Sequence, residues 1–195
     1  MVFVNSMSDL FHEDVPDEYI CSVVQIMIEA SRHTYQVLTK RSERMADLLQ
    51  TRLRFAASKP HIWWGVSVEN RTHGLPRVDH LRSAPAKVRF LSVEPLLEDL
   101  GPFDLTGIHW VIAGGESGHG ARPMHADWVR SVRDQCRAAE VKFFFKQWGG
   151  RQKAKAGRDL DGRTHDEQPG VGEIQMPNRR KRLQLVSELE SFVSV

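Results

Sequence analysis

The sequence predicts an α/β fold assembled from parallel βαβ units. Short apolar runs alternate with amphipathic stretches along the chain, which is the βα rhythm. The apolar runs are mostly continuous rather than alternating, as in strands covered on both faces. A unit recurs every roughly 25–35 residues, a period that suits a barrel and a doubly wound sheet equally. With 195 residues the chain can build one domain with a sizeable core, and 41% hydrophobic against 27% charged residues places it among ordinary soluble globular proteins.

The elements follow in order. Predicted strands are VFVN (2–5), YQVLT (35–39), IWWGVSV (62–68), VRFLSV (88–93), HWVIAG (109–114) and VKFFFKQW (141–148). After the first strand, Asp14 is suited to cap a helix and Pro16 to its first turn. Ile20, Val23, Val24, Met27 and Ile28 then form one apolar stripe. Ser42 opens a second helix with Met45, Leu48, Leu49 and Leu53 on one face. A shorter helix is expected after Pro76, using Val78 and Leu81. The link from Leu96 to Gly107 is poor in helix signal and predicts a turn or a short helix. Asp127 is placed to cap a last helix carrying Val129, Val132 and Cys136. Residues 1–150 read as the barrel-like domain. Residues 151–195 read as a polar, partly extended arm with little to bury, closed by a short amphipathic stretch from Leu183 to Val193.

Composition narrows the function classes. No apolar run is long enough for a transmembrane helix. MVFVNSMSDLF lacks the basic and apolar regions of a signal peptide, so the cytoplasm is the expected compartment. Cys21 and Cys136, the two cysteines, lie far apart in helical stretches, a pattern of reduced packing thiols and not of a zinc or iron–sulfur ligand set. None of the nine histidines pairs at metal-ligand spacing, and no metal site is expected. A net charge of +2 does not point to nucleic acid. The basic run Arg179-Arg180-Lys181-Arg182 can touch phosphates, but such runs are more often solvated faces.

Sites of parallel α/β folds form at the C-terminal ends of the strands, where the βα loops converge. Two successive strands end alike, in GVSVEN (65–70) and FLSVEPLL (90–97). Alternation puts Ser67 with Glu69 on one face and Ser92 with Glu94 on one face. Other strand ends bring Asn5, Ser6, Ser8 and Asp9; Thr39, Lys40 and Arg41; Gly114, Gly115, Glu116 and Ser117; and Lys146, Gln147 and Trp148. If these faces share a cleft, Glu69, Glu94 and Glu116 can bind an amine or hydroxyl, or act as acid and base. Lys40 and Lys146 can neutralise them or bind an anion. The bland alternative is that each glutamate is a solvated loop residue or a lysine's partner. GGESGHG (114–120) has the glycine content of a phosphate loop but neither the ending of a Walker loop nor a G-x-G-x-x-G spacing, so tight turns account for it equally. Trp148 is placed to stack on a flat ligand or to pack in the core.

The stretches FVNSMSDLFHEDVP, QVLTKRSERM, WGVSVEN, VRFLSVEPLL, WVIAGGESGHGARPM and FFFKQWG, with GRDLDGRTHDEQP in the arm, resemble a phage and prophage protein family of unknown function related to the radical S-adenosylmethionine (SAM) enzymes. The resemblance covers residues 2 to about 170. It implies a radical-SAM-like, TIM-type partial β/α barrel of about six parallel strands, N-terminally incomplete. Family members usually carry an upstream segment with three clustered cysteines, and in the wider superfamily these hold a 4Fe–4S cluster that reduces SAM to a carbon radical. This chain has no such segment, so the resemblance implies a truncated relative. Carried over by position, the SAM-facing candidates are Ser6, Asp9, Ser67, Glu69, Ser92 and Glu94, with Gly114 and Gly115 lining the same mouth. Glu94, Glu116 and Lys146 are the catalytic candidates. Lys40, Arg41, Gln147 and Trp148 are placed for substrate.

Three functions compete at this point. The first is a truncated radical-SAM relative, with nucleic-acid or nucleotide modification as the ancestral role that the phage setting suggests. The second is a cluster-free α/β enzyme or small-ligand binder using Glu69, Glu94, Glu116 and Lys146 directly. The third is a nucleic-acid-binding accessory protein using the basic run. A chain of this kind is expected to be marginally stable, with apolar surface exposed at its first strand.

Overall fold

The computed structural model of the chain describes residues 1–5, 7–151, 157–170, 179–180, 183–184 and 186. Six strands, β1 (Val2–Val4), β2 (Tyr35–Thr39), β3 (Ile62–Ser67), β4 (Val88–Val93), β5 (Trp110–Gly114) and β6 (Lys142–Gln147), pair in chain order and all in parallel. They form a curled half-barrel. Up to residue 151, five helices among the described residues accompany them: α1 (Asp17–Glu29), α2 (Ser42–Gln50), α3 (Arg54–Ala57), α4 (Arg71–Ser83) and α5 (Ala126–Ala138). Strictly sequential order separates this sheet from a doubly wound one, whose order reverses at a switch point.

The continuous apolar runs are explained by burial on both faces. Trp63 and Trp64 are adjacent and both are fully buried, on opposite sides of β3. Trp64 joins the larger core that α1, α2, α4 and α5 complete through Val24, Leu49, Leu81 and Val132. Trp63 joins a second cluster with Phe90, Trp110 and Ile112, which fills the concave side. There the Trp63 and Trp110 rings meet edge to face at 5.6 Å. Gly65 is the register partner of Phe90, and a Cβ on it would overlap the Phe90 ring. This glycine is therefore a packing requirement of the filled half-barrel.

Helix starts differ from the sequence expectation. Pro16, not Asp14, is the N-cap of α1; Asp14 pairs locally with His12. The acidic first turn, Asp17 and Glu18, meets the helix dipole instead. α4 begins a turn earlier than Pro76 suggests, because the Asn70 side chain accepts from the His73 N–H at 2.8 Å and caps it. Pro76 then sits inside the helix. Leu53 falls beyond α2 and is buried at the N-cap of α3. α5 starts after His125, with Asp127 in its first turn and Val129, Val132 and Cys136 buried as expected. No helix forms between β4 and β5, where Gly101 and Gly107 adopt positive φ.

The two sheet edges are treated differently. β1 pairs with β2 alone, and Val2 and Phe3 remain 39% and 44% exposed. The other edge is covered by the arm. Asp166 forms an antiparallel bridge to Phe144, and the Phe145 N–H donates to the His165 carbonyl at 2.9 Å. Trp110 Nε1 donates to the Glu167 carbonyl at 2.7 Å, and Leu160 is buried. Residues 157–170 are thus part of the sheet's packing. The closing helix expected over Leu183–Val193 lies mostly outside the described residues; Leu183, Gln184 and Val186 are helical.

Candidate functional site

The C-terminal strand ends carry the polar groups the sequence places there, but these groups fall into two sets. Asp9, in the loop after β1, ties that loop to β2. Its Oδ1 accepts from the Phe11 N–H at 2.9 Å and the Thr39 hydroxyl at 2.7 Å, and its Oδ2 from the Lys40 N–H at 3.0 Å. The Arg41 guanidinium lies 3.4 Å from Oδ2. Ser67 and Ser92 are register partners on β3 and β4, both nearly buried. A cleft of about 580 Å³ opens beside them at the β1–β3 end, lined among others by Phe3, Asn5, Asp9, Lys40, Arg41 and Ser67. Ser6 lies outside the described residues.

Glu69, two residues beyond Ser67, is only 7% exposed. Arg77 of α4 donates at 2.8 Å to Glu69 Oε2 and at 2.8 Å to the Ser67 carbonyl. Lys40 Nζ stands 2.5 Å from Oε1. This is a close charge contact, and no other donor among the described residues reaches that oxygen. Burial disfavours the Glu69 charge, but Lys40 first and Arg77 after it outweigh the loss of water and hold its pKa below the usual carboxylate value.

The second set sits across the mouth on β4–β6. Glu94 Oε2 accepts from Lys146 Nζ at 2.9 Å, and Oε1 from Gln147 Nε2 at 3.3 Å. Gln147 also donates to the Ser117 hydroxyl at 2.6 Å. Gly114 makes room for this group: a Cβ there would come within 3.2 Å of the Glu94 carboxyl carbon. Glu94 is partly open, at 19% side-chain exposure, and Lys146 is at 53%. Glu116 is turned elsewhere. Arg122 holds it with two guanidinium bonds of 2.8 and 2.9 Å and a backbone N–H at 2.9 Å, which together pull its pKa down to about 2.

The glycine-rich segment has a structural reason. Gly115 and Gly149 cross backbone on backbone where β5 and β6 end, with Gly115 N–H donating to the Gln147 carbonyl at 3.0 Å and Gly150 N–H to Glu116 at 2.7 Å. A Cβ on Gly115 would overlap the Trp148 carbonyl, and one on Gly149 the Glu116 carbonyl. Trp148 itself faces Phe145, with ring centroids 4.8 Å apart, and donates from Nε1 to the Asp159 carbonyl at 2.8 Å.

Sequence reasoning missed Arg77 and Arg122. Arg77 lies eight residues along from Glu69, on the next helix, and only its fold-back over the strand end makes it a partner. Among the described residues no group of three or more His, Cys, Asp or Glu side chains is arranged to hold a metal ion. Cys136 is buried on α5, where loss of water pushes its thiol up to about 12, and Cys21 is half-buried on α1.

Sequential parallel strands, a filled concave side and a polar mouth at the strand ends define an α/β half-barrel protein. The chain belongs to the family described as a protein of unknown function, DUF5131, whose model matches residues 1–169. No curated protein and no solved structure matches it. No helix among the described residues is long and apolar enough to cross a membrane.

Proposed function

We propose that the strand-end mouth binds a small ligand carrying both an ammonium and an acidic group, and that the protein is a phage-type relative of the radical-SAM barrels in which S-adenosylmethionine is that ligand. The observation that carries this reading is the pairing Lys146–Glu94 at 2.9 Å, an open ion pair at the end of β4 and β6. Exposed pairs of this kind gain little for stability. A zwitterionic ligand can take both partners at once, its ammonium on Glu94 and its carboxylate on Lys146. Glu69 and Arg77, at 9% and 17% side-chain exposure, supply the fixed wall of the mouth, with Lys40 reaching in from solvent. The apolar and cationic lining of the cleft beside Ser67, with Phe3, Lys40 and Arg41, suits the remainder of such a ligand.

A 4Fe–4S cluster does not fit the residues of this chain. Its two cysteines lie on different helices, and the Cys136 thiol is strongly disfavoured as a thiolate. No radical step is therefore assigned to these residues. Their proposed role is to bind and orient a ligand, with Glu94 and Lys146 as the groups able to exchange a proton with it.

The test is calorimetric titration with S-adenosylmethionine and, separately, with methionine. Saturable binding is expected, weakened about tenfold or more by Glu94→Gln and by Lys146→Met, with circular dichroism unchanged. Absence of binding, or binding equal in wild type and both variants, would refute the assignment.

A further inference from the structure

A second pocket lies at the opposite end of the sheet from the mouth. It has a volume of about 220 Å³, below the roughly 300–1,000 Å³ of pockets that take drug-sized ligands. Its walls come from the end of α5, the start of β6 and the arm.

The charges around it are not balanced. Arg133, Arg137, Lys142 and Arg163 line it, against two carboxylates, Glu140 and Glu167. Two of the cations have a structural explanation. Arg133 is held by Asp134 at 2.9 Å and Asp161 at 2.5 Å. Arg137 is in the last turn of α5, where the helix dipole favours a cation. Lys142 and Arg163 have neither: among the described residues no ion pair or side-chain hydrogen bond engages them. Arg163 is exposed and is held at its backbone. It follows the turn at Asp161 and Gly162, both at positive φ, and its carbonyl accepts from the Leu160 N–H at 2.9 Å.

One of the residues lining the pocket carries a buried polar atom without a partner. His165 is 3% exposed, and its Nε2 has no hydrogen-bond partner among the described residues. Its ring is fixed edge-on to Phe143 at 5.5 Å, and its own carbonyl is engaged by β6. An unsatisfied buried ring nitrogen costs free energy that a bound ligand would recover.

The geometry points to a phosphate-binding pocket at the start of β6, in which Lys142 and Arg163 hold the anion and His165 Nε2 supplies a buried hydrogen bond. The volume suits inorganic phosphate or a small phosphate monoester better than a whole nucleotide. Protonation of His165 accompanies binding. Burial and Arg163 hold its pKa below the ordinary histidine value in the free protein, and an adjacent dianion raises it. The groups that set this balance are Arg133 and Arg137 on α5, Glu140 and Lys142 at the strand start, and Arg163 and Glu167 on the arm. Binding of the dianion is accordingly weaker at alkaline pH, where His165 stays neutral.

The experiment titrates the full chain with inorganic phosphate and with glycerol phosphate at constant ionic strength, following the histidine ring resonances by NMR; His165→Gln identifies the His165 signal. Saturable movement of that signal, in the protein without any charge substitution, is the expected result. Calorimetry should show an affinity about tenfold lower in the Lys142→Gln/Arg163→Gln double variant and unchanged in Lys59→Gln, which precedes β3 and belongs to neither site. Tighter binding of glycerol phosphate identifies a monoester ligand; tighter binding of the free ion identifies phosphate itself. A His165 signal that stays still, or binding lost in Lys59→Gln and kept in the double variant, overturns the proposal.

Discussion

Two copies of Ser-Val-Glu give two glutamates with different surroundings. Glu69 is nearly buried between Lys40 and Arg77, whereas Glu94 is partly open beside Lys146 and Gln147. Arg77→Met leaves the nearly buried Glu69 with Lys40 as its remaining charge partner and removes a charged hydrogen bond, so it is expected to cost about 2 kcal/mol in urea unfolding at neutral pH. The pH dependence follows from the direction of the Glu69 shift. Its folded pKa lies below the unfolded one, near 4.5, so its stabilising contribution is fully present above that value. It is lost as pH falls through the folded pKa. The gap between wild type and Arg77→Met should therefore narrow in acid. A gap that is constant with pH would place the loss in α4 packing instead.

Among elements, the close crossing of the β5 and β6 ends holds the second half of the mouth together. Gly115 and Gly149 allow that crossing because neither carries a Cβ. Gly115→Ala drives a methyl into backbone, which no rotamer change relieves, and is expected to cost about 3 kcal/mol. Gly120 provides the contrast. It has open space around it and φ +81°, so Gly120→Ala meets only the left-handed penalty, about 1 kcal/mol. Thermal unfolding of the two variants side by side measures the difference. Equal losses would mean that the crossing yields to the added methyl.

For the whole molecule, the arm replaces a missing neighbour on β6. Its residues bridge Phe144, cap the Trp110 and Trp148 indoles and bring Asp161 to Arg130 and Arg133. Truncation after Gly150 uncovers a strand edge and the apolar residues beneath it. The expected outcome is concentration-dependent association in sedimentation velocity, with a broadened melting transition. A truncated monomer melting like the full chain would show the arm to be dispensable. The β1 edge, with Val2 and Phe3 exposed, has no comparable cover among the described residues.

The sequence by itself determined the strands and their parallel arrangement, because doubly buried strands demand continuous apolar runs and each βα unit announces its period. It also placed Ser67, Glu69, Ser92 and Glu94 on strand ends, since alternation is a local rule. Barrel-like or doubly wound topology was not legible from residue spacing, because strand order depends on which edges meet in space. Tertiary structure alone decided the partners: Arg77 reaches Glu69, and Arg122 withdraws Glu116, by folding back from segments that no periodicity links to them. It also decided that the arm belongs to the sheet. Leu160, Asp166 and Glu167 look like solvated residues in a polar stretch, and only the free edge of β6 and the unsatisfied indole of Trp110 give them something to bind. Hydrophobic pattern is a property of neighbours along the chain, whereas charge pairing and edge pairing are properties of neighbours in space.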